Sequence, residues 1–314
     1  MAEERSLVVP VVGAALLLAG AAVLLWGPSA EPPPKVAAPK PAAAPAPEVH
    51  APQVALTVPT RRAKSPVITP ADPALEVSRQ ILADIVDHYG KDPANPWAIG
   101  HALLVDGQQM TLPDGRNAIP YLYETFGQRT HMGSDVGVAF PRSRGEIRIE
   151  PHTDLFLKMF TEVGVQPTDT FKVEGELATF EQHVQQSFSR TWVDEQGHSS
   201  FPDLGDAPWA LQGLAAYAPP DLSWTSADGH PMTLDLFTDV LVDDLYARTR
   251  FMAEAMEKGQ TVEKKRQGIF AYTCGGAHLI QGVGHALAQG FGGARGQELM
   301  TKQGPLQLFR MQVE

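Results

Sequence analysis

Cysteine is nearly absent from this 314-residue chain, which contains only Cys274. A single cysteine cannot form an intrachain disulfide, so the fold must be stabilised by packing. The G-x-S-x-G turn of serine hydrolases and the Walker phosphate loop are also missing. The sequence therefore excludes a disulfide scaffold, and it offers no common signature of a serine hydrolase or a P-loop nucleotide hydrolase.

Basic residues are scarce in the larger part of the chain. The formal net charge is -11, of which residues 1–30 contribute -1 and residues 31–70 contribute +3, which leaves -13 for residues 71–314. Nucleic-acid binding requires clustered Lys and Arg side chains. Because a surface this acidic repels phosphate backbones, we exclude nucleic acid as a partner.

A long apolar run, LVVPVVGAALLLAGAAVLLW, occupies residues 7–26. It carries no charge and has the length of a helix that spans a hydrocarbon core. A cleaved signal peptide is the alternative, but its best cleavage position, after Ala30, would place Pro28 where a small residue is needed. We predict a single-pass anchor at residues 1–30. The flanking charges barely distinguish its two orientations, and we expect the following domain to be periplasmic.

Residues 31–74 are rich in proline and alanine, for example EPPPKVAAPKPAAAPAPE. This composition cannot form a core and favours extended polyproline II structure. It is similar to the composition of periplasmic tethers. We therefore predict a disordered linker at residues 31–74 and a globular domain at residues 75–314.

The rest of the chain is predicted to be mainly α-helical. In ALEVSRQILADIVDHYG, apolar residues recur at helical spacing before Gly90 and Pro93 end the run. Alternating strand patterns are limited to RGEIRIEP at 144–151 and TFKVEG at 170–175. Further helices are predicted near 97–105, 154–163, 180–189, 209–217, 234–256 and 277–289.

Two short motifs recur. PWAIGHALL from Pro96 and PWALQGLAA from Pro208 both open with Pro-Trp-Ala, and LIQGVGHAL shares their small residues. The pattern G-x-x-[MA]-T-[LF] begins at Gly107, Gly175 and Gly229, and in the last two copies Thr179 and Thr233 are placed to cap a helix. The repetition predicts a unit of an inner helix, a glycine turn and an outer helix.

Stacked helical hairpins with small residues on the inner helices resemble an incomplete α/α toroid, the architecture of terpenoid cyclases, protein prenyltransferases and lanthionine cyclases. The resemblance covers residues 75–290 and lacks the Asp-rich, Gln-Trp and Trp-Cys-x-Gly motifs of these enzymes, so their chemistry does not transfer. Zinc-bearing members use a Cys and a His near the centre of the toroid. The resemblance would place Cys274 and His278 there.

The main candidate site is TCGGAHLIQGVGHAL at residues 273–287. On one helix, Cys274, His278, Gln281 and His285 would form a single polar stripe. A structural hydrogen-bond network or an exposed face is the simplest interpretation. Alternatively, Thr273 would cap the helix, and the helix dipole and His278 would favour a reactive Cys274 thiolate.

A zinc site is the third interpretation of the same stretch. Cys274 and His278 would lie one turn apart, about 6 Å along the helix axis, and so could share one metal ion. His101 is the first candidate for a further ligand, and His152 and Asp154 are the next. Asp154 is otherwise interpreted as a helix N-cap.

Two other groups are interpreted without a function. Asp235, Asp239 and Asp243 recur on one face of the helix predicted at 234–256, which we interpret as a solvated outer face. The stretch GFGGARG at 290–296 lacks the spacing of a dinucleotide loop and is interpreted as a flexible helix stop.

Two functions stay open at this point. The first is a non-catalytic binding or scaffold domain of the cell envelope, whose helical face receives a peptide, a glycan or a partner protein. The second is a metal- or thiol-dependent enzyme centred on Cys274, His278 and His101.

Overall fold

Nine α-helices and four β-hairpins form the part of the chain that the computed structural model describes, residues 54–57 and 73–313. These residues belong to one compact unit, 48–314. The helices are α1 (Pro73–Ile85), α2 (Pro96–Asp106), α3 (Ala118–Phe126), α4 (Leu155–Val163), α5 (Phe180–Arg190), α6 (Ala207–Tyr217), α7 (Leu234–Glu257), α8 (Ala277–Gln289) and α9 (Ala294–Val313). A π-helical turn, Val86–Gly90, continues α1.

Each β-sheet is a two-stranded antiparallel hairpin. The strands are β1 (Gln128–Met132) with β2 (Asp135–Ala139), β3 (Ser143–Arg144) with β4 (Ile147–Arg148), β5 (Thr170–Val173) with β6 (Glu176–Thr179), and β7 (Ser223–Thr225) with β8 (Pro231–Thr233). β1 to β4 occupy most of the region between α3 and α4, where the sequence pattern had indicated only the strand run at 144–151.

Four helices, α2, α4, α6 and α8, pack side by side in a row, and every residue of α6 is buried. Helix α7 packs on α6 and α8, and α9 packs on α7 and α8. The small residues of the row allow close contact. A Cβ added at Gly282 on α8 would lie 2.6 Å from the Pro208 carbonyl oxygen on α6. The predicted role of these glycines in helix contacts is thus confirmed at Gly282.

The glycine turns lie in hairpins, and each hairpin leads directly into a helix. Gly175 and Gly229, with φ of 87° and 85°, occupy the turns before β6 and β8. The equivalent turn before α3 is at Gly115, with φ of 84°, beside the bridge between Thr111 and Asn117. Gly107, where the motif begins in this copy, also has a positive φ, 79°, but it ends α2. The hairpin turn follows at Pro113-Asp114-Gly115, which is a strong turn sequence.

Both predicted threonine caps are confirmed. The Gln182 amide N–H donates to Thr179 Oγ1 at 3.3 Å, and the Thr179 amide N–H donates to Gln182 Oε1 at 2.8 Å, which completes a capping box at α5. The Leu236 amide N–H donates to Thr233 Oγ1 at 3.1 Å at the start of α7. Each threonine is the last residue of a strand and the N-cap of the helix that follows, so it sets the boundary between the hairpin and the helix.

The predicted fold class requires correction. The described residues are mostly helical, but within this part of the chain the helices are connected through small β-sheets and do not form the helical-hairpin toroid that was expected. The reason is local, because the turn glycines are flanked by residues that alternate between buried and exposed positions, as in TFKV of β5. Alternation of this kind pairs strands even over four residues.

The predicted membrane association is also corrected. Within residues 54–57 and 73–313, no helix has both the length and the apolar character needed to cross a bilayer. The longest of them, α7, carries acidic and basic side chains along its 24 residues. The structure therefore does not support a transmembrane helix, single-pass membrane association or a periplasmic location. The stretch 7–26, from which they were inferred, lies outside the described residues.

Part of the predicted linker contacts the domain. Val54 is buried, its amide N–H donates to Gln185 Oε1 at 3.1 Å, and Gln185 Nε2 donates back to the Val54 carbonyl at 2.6 Å. The Thr57 amide N–H donates to the carbonyl of Tyr217, at the end of α6, at 2.7 Å. Residues 54–57 are therefore attached to α5 and α6. The rest of the predicted linker before Pro73 lies outside the described residues.

The acidic face of α7 is not merely solvated, as had been predicted. Asp235 Oδ1 accepts the Gly292 amide N–H at 2.7 Å, and Asp239 Oδ1 accepts that of Gly293 at 3.3 Å. Asp243 pairs with Arg295 at 2.7 Å. The carboxylates thus hold the glycine-rich loop and the first turn of α9 against α7, and the interpretation of this loop as a flexible stop is corrected.

We predict that Thr179→Ala lowers the free energy of unfolding by about 1 kcal/mol, because the capping box at α5 loses its side-chain acceptor. Urea denaturation of the two proteins measures the difference. Thr301→Ala is the matched control, since Thr301 lies exposed inside α9 and caps no helix. An equal loss in both variants would contradict the role assigned to the cap.

Candidate functional site

The side chain of Trp209 is the centre of a cluster of histidines. Trp209 lies in the first turn of α6 and is 1% exposed. The Trp209 ring stacks on the ring of His152, which lies just before α4. The two ring centroids are 4.3 Å apart, and the angle between the ring planes is 6°. The ring also contacts His278, in the first turn of α8, at 4.5 Å. The starts of α4, α6 and α8 therefore meet at this indole.

A second tryptophan–histidine pair lies on α2. The rings of Trp97 and His101 are 4.0 Å apart, and His101 Nδ1 donates to the Trp97 carbonyl at 2.8 Å. The two Pro-Trp-Ala motifs thus have the same local role: proline occupies the first turn of an inner helix, and the next residue places an indole against histidine. The repetition seen in the sequence has a structural counterpart here.

Lys158 lies close enough to His278 and His101 for its charge to affect them. Burial is the main cause of a lowered pKa at His278, to about 4, and the charges of Lys158, His101 and His152 add to it. Burial also lowers the pKa of His101, again with a contribution from Lys158. We call Trp209, His101, His152, His278 and Lys158 the Trp209 site.

One carboxylate, Glu162, connects the helices that form this site. On α4, Lys158 Nζ lies 3.1 Å from Glu162 Oε2. Gln212 of α6 and Gln281 of α8 donate from their Nε2 atoms to Glu162 Oε1, at 2.6 and 2.7 Å. Because the Lys158 side chain is only 3% exposed, its charge needs this partner.

A second carboxylate orients His152. His152 Nδ1 donates to Asp206 Oδ1 at 2.9 Å, and Arg142 donates to the other oxygen of Asp206. Burial would raise the pKa of Asp206, but the hydrogen bonds from His152 and Arg142 hold it below its usual value. Arg142, in the loop between α3 and α4, is thus paired within the chain.

Three buried polar atoms of the cluster have no hydrogen-bond partner among the described residues. They are Trp209 Nε1, His278 Nδ1 and Gln212 Oε1. They comprise an N–H donor, an imidazole nitrogen and a carbonyl acceptor. Buried polar atoms in folded proteins are nearly always satisfied by protein, water or ligand. Trp209 and Gln212 lie one turn apart on α6, and the His278 ring contacts the Trp209 indole from α8.

Cys274 does not share the helix of His278. Helix α8 begins at Ala277, and Cys274 lies before it in a 3-10 turn, with left-handed φ values of 52° at Cys274 and 59° at Gly275. The predicted stripe therefore loses its first member, whereas His278, Gln281 and His285 are on α8. The thiol is exposed, and partial burial raises its pKa, opposite to the change expected for a thiolate.

Asp154 lies at the N-cap position of α4, as predicted, but its side chain does not cap the helix. It is fully buried, accepts a hydrogen bond from Ser187 Oγ at 2.6 Å and pairs with Arg190. Glu150 makes the capping contact, since its Oε1 accepts the Phe156 amide N–H at 3.0 Å. Burial, together with the charge of Asp154, raises the pKa of Glu150 to about 8.

The predicted metal ligands are thus partly brought together. His101, His152 and His278 lie in the Trp209 site, while Cys274 and Asp154 have other surroundings. In the described ranges, no group of three or more His, Cys, Asp or Glu side chains is arranged to hold a metal ion.

Four residues that unite the site were not predicted as site residues from the sequence, namely Lys158, Glu162, Trp209 and Gln212. A signal for two of them was present, because Lys and Glu stand four residues apart in the otherwise apolar helix LFLKMFTEV. Charges on the buried side of a helix require partners, and this pair could have been singled out on that ground.

No family model matches the chain, and no curated protein or solved structure is significantly similar to it. The function is therefore inferred from the Trp209 site itself.

We predict that His278 stays neutral down to about pH 5 and takes up a proton near pH 4. The unfolded chain binds that proton nearer pH 6.5, so this histidine makes the folded state lose stability as the pH falls from 6.5 to 4. NMR titration of the imidazole signals measures the pKa directly. In urea unfolding, His278→Gln should show a smaller loss over this interval. A His278 pKa near 6.5 would contradict the arrangement.

Proposed function

We propose that this chain is a binding domain whose Trp209 site receives an uncharged ligand rich in hydroxyl or amide groups, such as a sugar or a peptide. The observation that carries the proposal is the set of unpaired polar atoms, Trp209 Nε1, His278 Nδ1 and Gln212 Oε1. A ligand that both donates and accepts hydrogen bonds would satisfy all three. Buried polar atoms left without partners cost about 1–3 kcal/mol each, which favours such a ligand.

The charges of the site support a neutral ligand. Lys158 is paired with Glu162, and Arg142 with Asp206. The lowered pKa of His278 keeps its imidazole neutral at pH 7. A neutral imidazole has one nitrogen that donates and one that accepts a hydrogen bond. It can therefore bond to hydroxyl and amide groups, which also donate and accept. Because Lys158 and Arg142 are already paired with carboxylates, the site offers, among the described residues, no unpaired charge of either sign to a charged ligand.

Trp97 adds an exposed apolar surface on α2, where it contacts His101 of the Trp209 site. Trp97 is 43% exposed although its ring contacts His101. Ligand sites commonly combine aromatic surface with a few well-placed polar groups. We expect a ligand with an apolar face and a polar edge to contact Trp97 with its apolar face and the Trp209 indole with its polar edge.

The enzyme hypothesis has less support from the geometry. It needs Cys274 beside His278 on one helix, whereas Cys274 lies in the turn before α8. The raised pKa of the thiol also disfavours the nucleophilic form. The three histidines fit hydrogen bonding to a ligand without requiring covalent chemistry.

NMR of the ¹⁵N-labelled full chain tests the proposal, because each tryptophan gives a separate indole N–H signal. The probes are neutral oligosaccharides and short peptides with both ends blocked. We expect at least one of them to shift the Trp209 indole signal, identified by its loss in Trp209→Phe. The Trp192 indole is the internal control, since it also stacks on a histidine, His230, but already donates to Asp228 at 3.0 Å.

Variants give a second criterion. His278→Ala should weaken binding of the active probe at least tenfold, about 1.4 kcal/mol, while His230→Ala should leave it unchanged. Inorganic phosphate and spermine serve as charged probes. The proposal fails if no neutral probe shifts the Trp209 signal, or if only the charged probes do.

A further inference from the structure

The exposed apolar side chains of the domain are concentrated at one place. Of the fourteen large hydrophobic residues that are exposed in the described part of the chain, eight lie between residues 77 and 105. Val77, Ile81 and Ile85 on α1 are 54%, 49% and 39% exposed, and Tyr89 in the π-helical turn is 72% exposed. We call these four residues the α1 ridge. Patches of this kind on a soluble domain usually mark an interaction surface.

The spacing of the α1 ridge is that of a helix-packing surface. Its members stand four residues apart, and residues at this spacing form the ridges that interdigitate when two helices cross at about -50°. Within the described residues, the main contact of α1 is with the π-helical turn that follows it. The helix therefore has an amphipathic pattern without a matching partner among residues 54–57 and 86–313 of its domain, although burying that pattern is what normally stabilises a helix.

We propose that the α1 ridge is the interface of a homodimer, in which α1 packs antiparallel on α1 of a second copy. The three ridge residues on α1 are symmetric about Ile81, since Val77 and Ile85 each lie four residues away from it, and Tyr89 lies beyond them in the π-helical turn. A twofold axis beside Ile81 would therefore place Val77 against Ile85 of the second copy and pair Ile81 with itself, as an isologous contact requires.

The charges beside the ridge permit this contact. Arg79 and Glu76 lie 3.9 Å apart, and Lys91 and Asp87 lie 2.7 Å apart. Because both ion pairs form within one copy, the ends of α1 present mixed charge and not a single sign. Two identical acidic domains can then approach along this helix with less repulsion than along a uniformly acidic face.

The area available sets the expected strength. The α1 ridge and the adjacent Leu82 provide five apolar side chains per copy that are between 39% and 72% exposed. With a polar rim, a contact built on them lies at the low end of specific interfaces, about 1,200 Å² in total. The dimer should therefore be reversible, with dissociation in the micromolar range. This inference is independent of the Trp209 site.

Sedimentation velocity of the full chain between about 1 and 200 μM tests the proposal. We expect the mass to rise from monomer to dimer across this range and Ile81→Glu to weaken association at least tenfold. The matched control is Leu177→Glu, because Leu177 is 71% exposed on the β5–β6 hairpin and lies outside the ridge. A monomer throughout, or a dimer unaffected by Ile81→Glu, overturns the proposal.

Cross-linking provides a readout that does not depend on the folding of Ile81→Glu. In a Cys274→Ser background, Ile81→Cys and Gln80→Cys are treated with a short bismaleimide. Gln80 is exposed but points about 100° away from Ile81 around the helix. We expect a covalent dimer from Ile81→Cys and little from Gln80→Cys. Equal yields, or none from Ile81→Cys, would show that another segment or no partner covers the ridge.

Discussion

The hydrogen-bonded ion pair at Glu162 is the interaction on which the arrangement of the inner helices depends. Lys158 is buried on α4, and without a carboxylate its ammonium group would carry a large desolvation penalty. Glu162 supplies that carboxylate from the same helix, and its second oxygen accepts the side-chain amides of Gln212 and Gln281. A charge requirement on one helix thus fixes the relative positions of three helices, which apolar packing alone would leave less specific.

The same constraint shapes the Trp209 site. Gln212 uses its amide N–H for Glu162, and its carbonyl oxygen has no partner in the part of the chain that the structure describes. The same holds for the indole N–H of Trp209, one turn earlier on α6. The charge of Lys158 contributes to the lowered pKa of His278, which keeps this imidazole neutral. The charged groups of the network, Lys158 and Glu162, are therefore paired, whereas neutral polar atoms of Gln212 and Trp209 have no hydrogen-bond partner among the described residues. This distribution suits recognition of a neutral polar ligand.

The helices could be predicted from the sequence better than the β-hairpins that connect them. Seven of the nine described helices were located from apolar periodicity, and the caps at Thr179 and Thr233 followed from their spacing. The hairpins were largely missed because their strands are only two to five residues long. The site could be predicted only in part, since His101, His152 and His278 were singled out as separate candidates. The position of these histidines around Trp209 depends on long-range packing, which the sequence does not show. The metal and thiol hypotheses assumed that Cys274 and His278 share one helix, whereas the glycines after Cys274 separate it from α8.

A double-mutant cycle between Glu162 and Gln212 is the most direct test of this account. The free energy of unfolding is measured by urea denaturation for the full chain, Glu162→Met, Gln212→Met and the double variant. If the carboxylate holds α4 and α6 together, the two substitutions should be coupled by about 1 kcal/mol or more. Effects that add to within about 0.5 kcal/mol would show that Glu162 does not connect the two helices, and the proposed origin of the site would be wrong.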